Sequence, residues 1–569
     1  MVRLPWIALA LALAGNLAFV ARYGGDIPRA DEWKDVSVLL GDRPLTLKWL
    51  WTPHDVHRIP LPRLIRFALY RLSGRDFRAA MFFNVTVMAA AAALMLFVAG
   101  QGRAAPSRLE AFIPLLLLGP FHFQTFLWGF QVQFALSSAL FLAAIAVIAT
   151  IDGVPSPRTL AALATILLME VLSGANGVAL ALPLMVWLAA ALVSARGERG
   201  ASWRLAAVGL AGAAVVVMTY PFGLVHPRVS ASPGTILLTF LQFLSMGLAA
   251  VDTLWKTRVL FIVILGAFAF ALLVRALFRT PQETWRASGL MACFASMALV
   301  GAFVAVGRGD VTANAGIQPR YATLAAPLIC LAYFAPLLYG QASRYVVAAM
   351  LLAATLLAVL IGAVPAFAYG EFRRRQLDAL QRDAELGLPL EAIAARNGST
   401  LSDFSVEARA ALGSLMAHGA WPFIGYRPDP RVHDQVVART LVELGAATTR
   451  DLVRQDGVFR PGGPSPEIRL RLPRAVPTAA IELRYSVEAA TDRLMILQLF
   501  WGRLPEGASD LPGDAQFAGF PVFRSERPRT LTALVYETID TLRIQVDPAA
   551  SRFQIHEIAV LELAPDWIP

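Results

Sequence analysis

Asp31, Glu32 and Trp33 stand together in the stretch between the first two apolar runs of the chain. A carboxylate held beside a desolvating aromatic at a membrane face suits a general base, because partial burial lifts its pKa toward working pH. The same acidic pair could equally cap the next helix, and the three residues alone leave both readings open. Further along the same stretch come His54, Asp55, Val56, His57 and Arg58, then Pro60, Pro62, Arg63 and Arg66. Asp55 is a third candidate base. His54, Asp55 and His57 are of metal-ligand type, but no second His, Cys or Asp cluster completes a shell. No metal is therefore assigned, and a divalent cation is the one cofactor left open. The prolines break the chain before the amphipathic run LIRFALYRL, whose apolar face would lie along an interface while Arg58, Arg63 and Arg66 face headgroups. A guanidinium fork matches phosphate, so a lipid phosphate or diphosphate is the natural partner for His54, His57 and these arginines; interfacial anchoring is the alternative.

Two later stretches add polar groups. In residues 121–134, Gln124, Trp128, Gln131 and Gln133 interrupt apolar sequence, with Glu170 and Asn176 further on. Amides in hydrocarbon need partners, so they either glue helices or line a polar cavity. In residues 307–323, Arg308 ends one apolar run and Arg320 with Tyr321 begins the next. Two more guanidiniums at a rim would complete a phosphate clamp, where their ordinary role is snorkelling at helix ends.

These groups need a membrane scaffold to hold them. The 569 residues are 57% hydrophobic and only 16% charged, with mean hydropathy +0.58; a soluble domain carries about 25% charge. The +10 formal charge sits largely in short inter-helix loops, a pattern of membrane topology that argues against nucleic acid as a partner. Cys293 and Cys330 lie in apolar runs and read as small buried hydrophobes. The run Leu4–Val20 could be a signal peptide, but more spans follow, and it reads as a first spanning helix. Eleven more runs of spanning length lie near 80–100, 109–127, 133–150, 159–174, 177–194, 204–222, 235–251, 258–274, 287–307, 321–339 and 345–367. Arg103, Arg108, Arg158, Arg196, Arg199, Arg204, Arg275, Arg279, Arg286 and Arg344 all favour the cytoplasm. They share one side only if one run fails to cross; 235–251, which follows a Pro/His loop and ends at Asp252, is that run. About eleven spans plus one re-entrant or interfacial segment result, with the first loop (22–79), residues 308–320 and the tail on the external face. Arg373, Arg374 and Arg375 cut against that assignment. The expected domains are a membrane domain at 1–367, a helical connecting region at 368–454, and a β-sandwich at 455–569, where short alternating runs are separated by Pro and Gly.

The order of Asp31-Glu32, HDVHRIPLPRLI at 54–65, LWGFQVQF at 127–134 and the pair Arg308 and Arg320-Tyr321 resembles the polytopic bacterial glycosyltransferases of the GT-C superfamily. The end of the tail, LRIQVDPAASRFQIHEIAVLE at 542–562, resembles the last strands of β-sandwich modules appended to surface-polysaccharide glycosyltransferases. What the resemblance implies is an inverting transfer of sugar from a polyprenyl-phosphate donor to a glycan or lipid acceptor. It also implies a first-loop carboxylate as base and a place in the bacterial inner membrane, among its lipids, with a periplasmic, carbohydrate-binding-like tail. A polymerase or ligase of lipid-linked glycans, and a non-enzymatic flippase or transporter, are the alternatives.

Overall fold

The computed structural model describes residues 4–101, 106–195, 200–224, 231–248, 254–309, 314–397, 412–427, 436–455, 458–463, 465–489, 495–505, 508, 511, 516–522 and 524–564. Arg103, Arg196, Arg199 and Asp252 lie outside them. The chain forms two compact units: residues 1–26 with 43–374, and residues 27–42 with 375–569. The first external loop expected at 22–79 is therefore divided between the two.

Ten helices of the described residues are long and apolar enough to cross a membrane: Leu4–Tyr23, Ala79–Gly100, Arg108–Phe126, Gly129–Ala149, Ala175–Ser194, Ala201–Thr219, Trp255–Arg279, Pro281–Arg308, Tyr321–Tyr339 and Ser343–Glu385. Two shorter helices, Pro157–Val171 and Pro233–Ser245, accompany them. Contacts fix which end of the bundle each terminus occupies. Asn84 reaches the carbonyls of Thr125 and Trp128, Tyr321 packs on Phe134, Tyr23 meets Glu371 and Tyr220 meets Arg58. All these mark one end. At the other end, Tyr333 donates to Glu110 and Arg286 to the Ile151 carbonyl. This alternation makes Pro157–Val171 cross as well. It also returns the chain between Thr219 and Trp255 to the end it left, so Pro233–Ser245 dips in without crossing. Its first residues lie by Gly309, which Ala231 approaches.

The span Arg108–Phe126 is broken: a short helix Phe112–Leu117 gives way at Pro120 to a 3-10 turn and then to Phe123–Phe126. Irregular backbone at membrane depth survives only where protein satisfies its polar groups. His122 lies between the Leu116 carbonyl and the Thr323 hydroxyl, at 2.8 and 3.0 Å, and Thr323 donates to Thr125 at 2.8 Å. Every one of these side chains is fully buried.

Among its described residues, the second unit joins a few helical turns to nine antiparallel strands: β1 (Val436–Leu441), β2 (Thr448–Arg450), β3 (Leu452–Gln455), β4 (Val458–Pro461), β5 (Glu467–Ala489), β6 (Met495–Gly502), β7 (Gln516–Val522), β8 (Ser525–Gln545) and β9 (Ala550–Leu563). Their order is β3-β4-β9-β5-β8-β6-β7, with β1 on β9 and β2 on β5. Alternation along β6 buries Met495, Leu497, Leu499 and Trp501, as period-two sequence requires. Where sequence suggests separate strands divided by prolines, the ladder runs on. β5 bends where its register with β8 shifts between Arg471 and Val476, a bulge beside Pro473 and Pro477 that spares a proline the missing N–H. β8 bends at Tyr536, whose φ is +48°. The expected sandwich is thus one hydrogen-bonded network folded over its core by bulged strands, and the protein is a multi-pass helical membrane protein with a C-terminal antiparallel β domain.

Candidate functional site

Residues 47–66 of the membrane unit are organised by their arginines. The helix Leu47–Trp51 is a single turn of five residues, and its last carbonyls have no partner within it. Arg63 donates to the carbonyls of Trp49 and Thr52 at 2.9 and 2.6 Å. Arg58 donates to the carbonyl of Trp51 and, from the loop after Thr219, to those of Tyr220 and Phe222. Each guanidinium also lies over a tryptophan, Arg58 on Trp51 at 5.1 Å and Arg63 on Trp49 at 5.0 Å. Both arginines are 4% exposed. What the structure shows of them is therefore a positioning role: they cap a helix end and tie two loops together. The phosphate contact expected of them rests on the sequence reading alone.

Just before Arg58 the chain makes a tight turn. His54 and His57 exchange both backbone hydrogen bonds, at 2.7 and 3.1 Å, and Asp55 at the turn has φ +52°, a left-handed conformation that Asp tolerates better than most residues. The turn exposes Asp55 and buries His54, with the two side chains 3.9 Å apart. The His54 ring packs on Phe130 at 4.7 Å, and Phe130 on Trp128 at 5.9 Å. Arg66 lies over the Phe130 ring as well, 5.6 Å from its centroid.

Beside this layer, the start of the span Gly129–Ala149 supplies amides. Gln131 and Gln133 are 2% and 4% exposed. Asn176 donates to the Ser137 hydroxyl at 2.7 Å and to the Gln133 carbonyl at 3.3 Å. Glu170, 1% exposed, holds its carboxylate beside the Ser137 hydroxyl. Gly177 lets the start of the next helix pack on Glu170, since a Cβ there would fall 1.9 Å from the Glu170 carbonyl. The backbone of Leu61 is bonded to the Leu172 carbonyl at 3.1 Å, joining the arginine-bearing helix Pro60–Leu72 to the same end of the bundle.

The remaining expected residues are placed as follows. Gln124 is half-buried in the broken span. Tyr321 is buried between Phe134 and Phe243, with Arg320 over its ring at 5.6 Å. Arg308 is exposed at its helix end. Asp31 and Glu32 belong to the second unit, where Glu32 is buried and accepts the Arg29 N–H at 3.0 Å. That contact is the helix-capping use of the acidic pair; Asp31 is half-buried. His54, Trp128 and Gln131 thus gather at one end of the membrane unit with Arg58 and Arg63 holding the surrounding loops. Glu170 and Asn176 join them, and their interruption of apolar sequence is the signal that marked them.

Asp26, also of the first loop, was legible only as one charge among many. It accepts the Phe77 N–H at 2.7 Å, and its pKa is raised to about 6 by burial, with the Phe77 N–H opposing and the Asp76 charge adding.

No protein-family model and no curated protein matches the chain. Among solved structures, it is similar to the arabinosyltransferase EmbB from Mycobacterium smegmatis, with 11% identity and a TM-score of 0.35 over 98% of this chain and 64% of that one. It is also similar to the arabinofuranosyltransferase AftD from Mycobacteria, with 11% identity and a TM-score of 0.29 over 98% of this chain and 60% of that one. The chain spans less than two thirds of the length of either.

Proposed function

We propose that the chain is a membrane glycosyltransferase of the GT-C kind, moving a sugar from a polyprenyl-phosphate donor to a cell-envelope glycan or lipid. The observation that carries this reading is the polar layer at one end of an apolar bundle, in which Gln131, Gln133, Asn176 and the buried Glu170 carboxylate adjoin His54, Trp128 and Phe130. Buried amides and carboxylates suit sugar hydroxyls, and an aromatic wall suits a sugar ring. Arg66 adds a cation for the donor phosphate, and Arg308, Arg320 and Tyr321 are rim candidates for the same role. A first-loop carboxylate, Asp31, Glu32 or Asp55, accepts the acceptor hydroxyl's proton as that oxygen bonds the anomeric carbon. The bond from that carbon to phosphate oxygen breaks, polyprenyl phosphate leaves, and configuration inverts. This layer lies on the external face of the inner membrane, with the β domain periplasmic and carbohydrate-binding in character.

The test is transfer from a radiolabelled polyprenyl-phosphate sugar by purified protein, with and without EDTA, comparing wild type with Asp31→Asn, Glu32→Gln, Asp55→Asn and Glu170→Gln. Loss of at least a hundredfold in one first-loop variant that keeps its fold names the base. Full activity in all three first-loop variants removes that mechanism. The broken span and the dipping segment favour a second reading, a lipid-linked-sugar transporter, since discontinuous helices are a transporter device. Absence of transfer across a donor panel, with binding retained, selects it.

A further inference from the structure

At the opposite end of the bundle from the polar layer is a cavity of about 350 Å³. Sixteen residues of helix separate Gln133 from Ala149 in its wall, roughly 24 Å. Its polar lining is Gln101, Thr150, Arg286 and Arg344, and its apolar lining includes Phe334 and Leu338. Arg286 is neutralised: its Nη1 contacts both Glu283 oxygens at 2.9 and 2.8 Å, and Glu283 also accepts the Tyr339 hydroxyl at 2.8 Å. Among the described residues, Arg344 has no such carboxylate partner. Its Nη2 donates to the Tyr345 hydroxyl at 2.8 Å, while its Nε is buried without a hydrogen bond.

A half-buried guanidinium with no carboxylate beside it among the described residues leaves its charge unmatched at the wall of a cavity that has room for an anion. Two helices also begin here, Thr284–Arg308 and Ser343–Glu385, and helix starts favour negative charge. We propose that this cavity binds a phosphate group, and specifically the headgroup phosphate of an anionic membrane lipid. The phosphate oxygens accept from Arg344, with Gln101 and Thr150 beside them, while the glycerol and first acyl carbons lie on Leu337 and Leu338. A helix-end position beside apolar walls fits a lipid better than a free ion, because it puts the phosphate at headgroup level with hydrocarbon on one side.

The experiment is native mass spectrometry of the full chain in detergent, titrated separately with phosphatidylglycerol, phosphatidylcholine and inorganic phosphate. Wild type is expected to retain phosphatidylglycerol over phosphatidylcholine by about tenfold, Arg344→Gln to lose that preference, and Arg344→Lys to keep part of it. Thr150→Trp, which narrows the cavity without changing its charge, lowers retention with the fold intact. Retention of inorganic phosphate alone, lost in Arg344→Gln, upholds the anion site with a soluble source. Equal binding of every probe by wild type and well-folded Arg344→Gln overturns the proposal.

Discussion

Arg58 shows how much one side chain can be asked to hold. Its guanidinium meets carbonyls of Trp51, Tyr220 and Phe222, a three-way fork that an ammonium cannot reproduce. Arg58→Lys is therefore expected to fall short of wild type almost as far as Arg58→Gln, each losing about 3 kcal/mol of stability, read as midpoint shifts in chemical unfolding of the purified protein. Rescue by lysine would show that charge, not geometry, is what the site uses. Asp26 gives a pH prediction. Its folded pKa, about 6, exceeds the unfolded value of about 3.9. The folded state thus keeps a proton the unfolded state has lost, and stability falls as pH rises from about 4 to about 6, then levels. At Asp76, burial works upward but hydrogen bonds from Arg78 outweigh it and hold the pKa low, so its contribution has the opposite sign and is lost at still lower pH. Asp26→Asn, which keeps an acceptor for Phe77 N–H, is expected to flatten the melting temperature across pH 4.5 to 6.5; parallel curves for variant and wild type would remove Asp26 as the cause. At this scale, sequence marked which residues carry polarity and left open what each one touches. Glu32 and Asp31 are neighbours of like type, yet only a backbone position decides that Glu32 caps a helix. Arg58 and Arg63 read as anion ligands in sequence, and only the folded chain sets the unfinished helix end at Trp51 beside them.

Elements were legible where hydrophobic periodicity alone decides them and obscure where tertiary contacts do. Arg108–Phe126 reads as one spanning run in sequence, and hydropathy does not register that His122, Thr125 and Thr323 hold its break together. The dipping segment Pro233–Ser245 was legible through parity, because arginines at helix ends constrain how many runs cross. Peptide tags introduced separately beside Leu224 and Leu254 are accordingly expected to label from the same side of the membrane in intact vesicles; opposite-side labelling would make the segment a full crossing. The junction of Pro157–Val171 with Ala175–Ser194 depends on one missing side chain. A Cβ at Gly177 would sit 1.9 Å from the Glu170 carbonyl, so Gly177→Ala must separate the two helices. It is expected to cost roughly 3 kcal/mol and to reduce transfer activity with it, whereas alanine at Gly212, which has room around it, is expected to leave both within error.

For the whole molecule, composition announced the division into apolar bundle and β domain, and alternating strands announced the second architecture. The long strand β5 escaped notice because Pro473 and Pro477 read as stops in sequence and act as a bend in space, and the bend of β8 at Tyr536 has no proline or glycine to announce it. The contact between Tyr23 and Glu371, 2.8 Å long and 348 residues apart, bears on how the chain is made. Tyr23 also packs so closely on Gly370 that a Cβ there would lie 2.9 Å from the ring. At ribosomal speeds of about 5–20 residues per second, roughly 17 to 70 s pass between synthesis of the two partners. Helix Leu4–Tyr23 therefore leaves the ribosome long before its last neighbour exists, and must wait in lipid or against an insertion factor. Nascent chains stalled before Glu371 present this first helix unpaired, which makes the interval a window for membrane quality control.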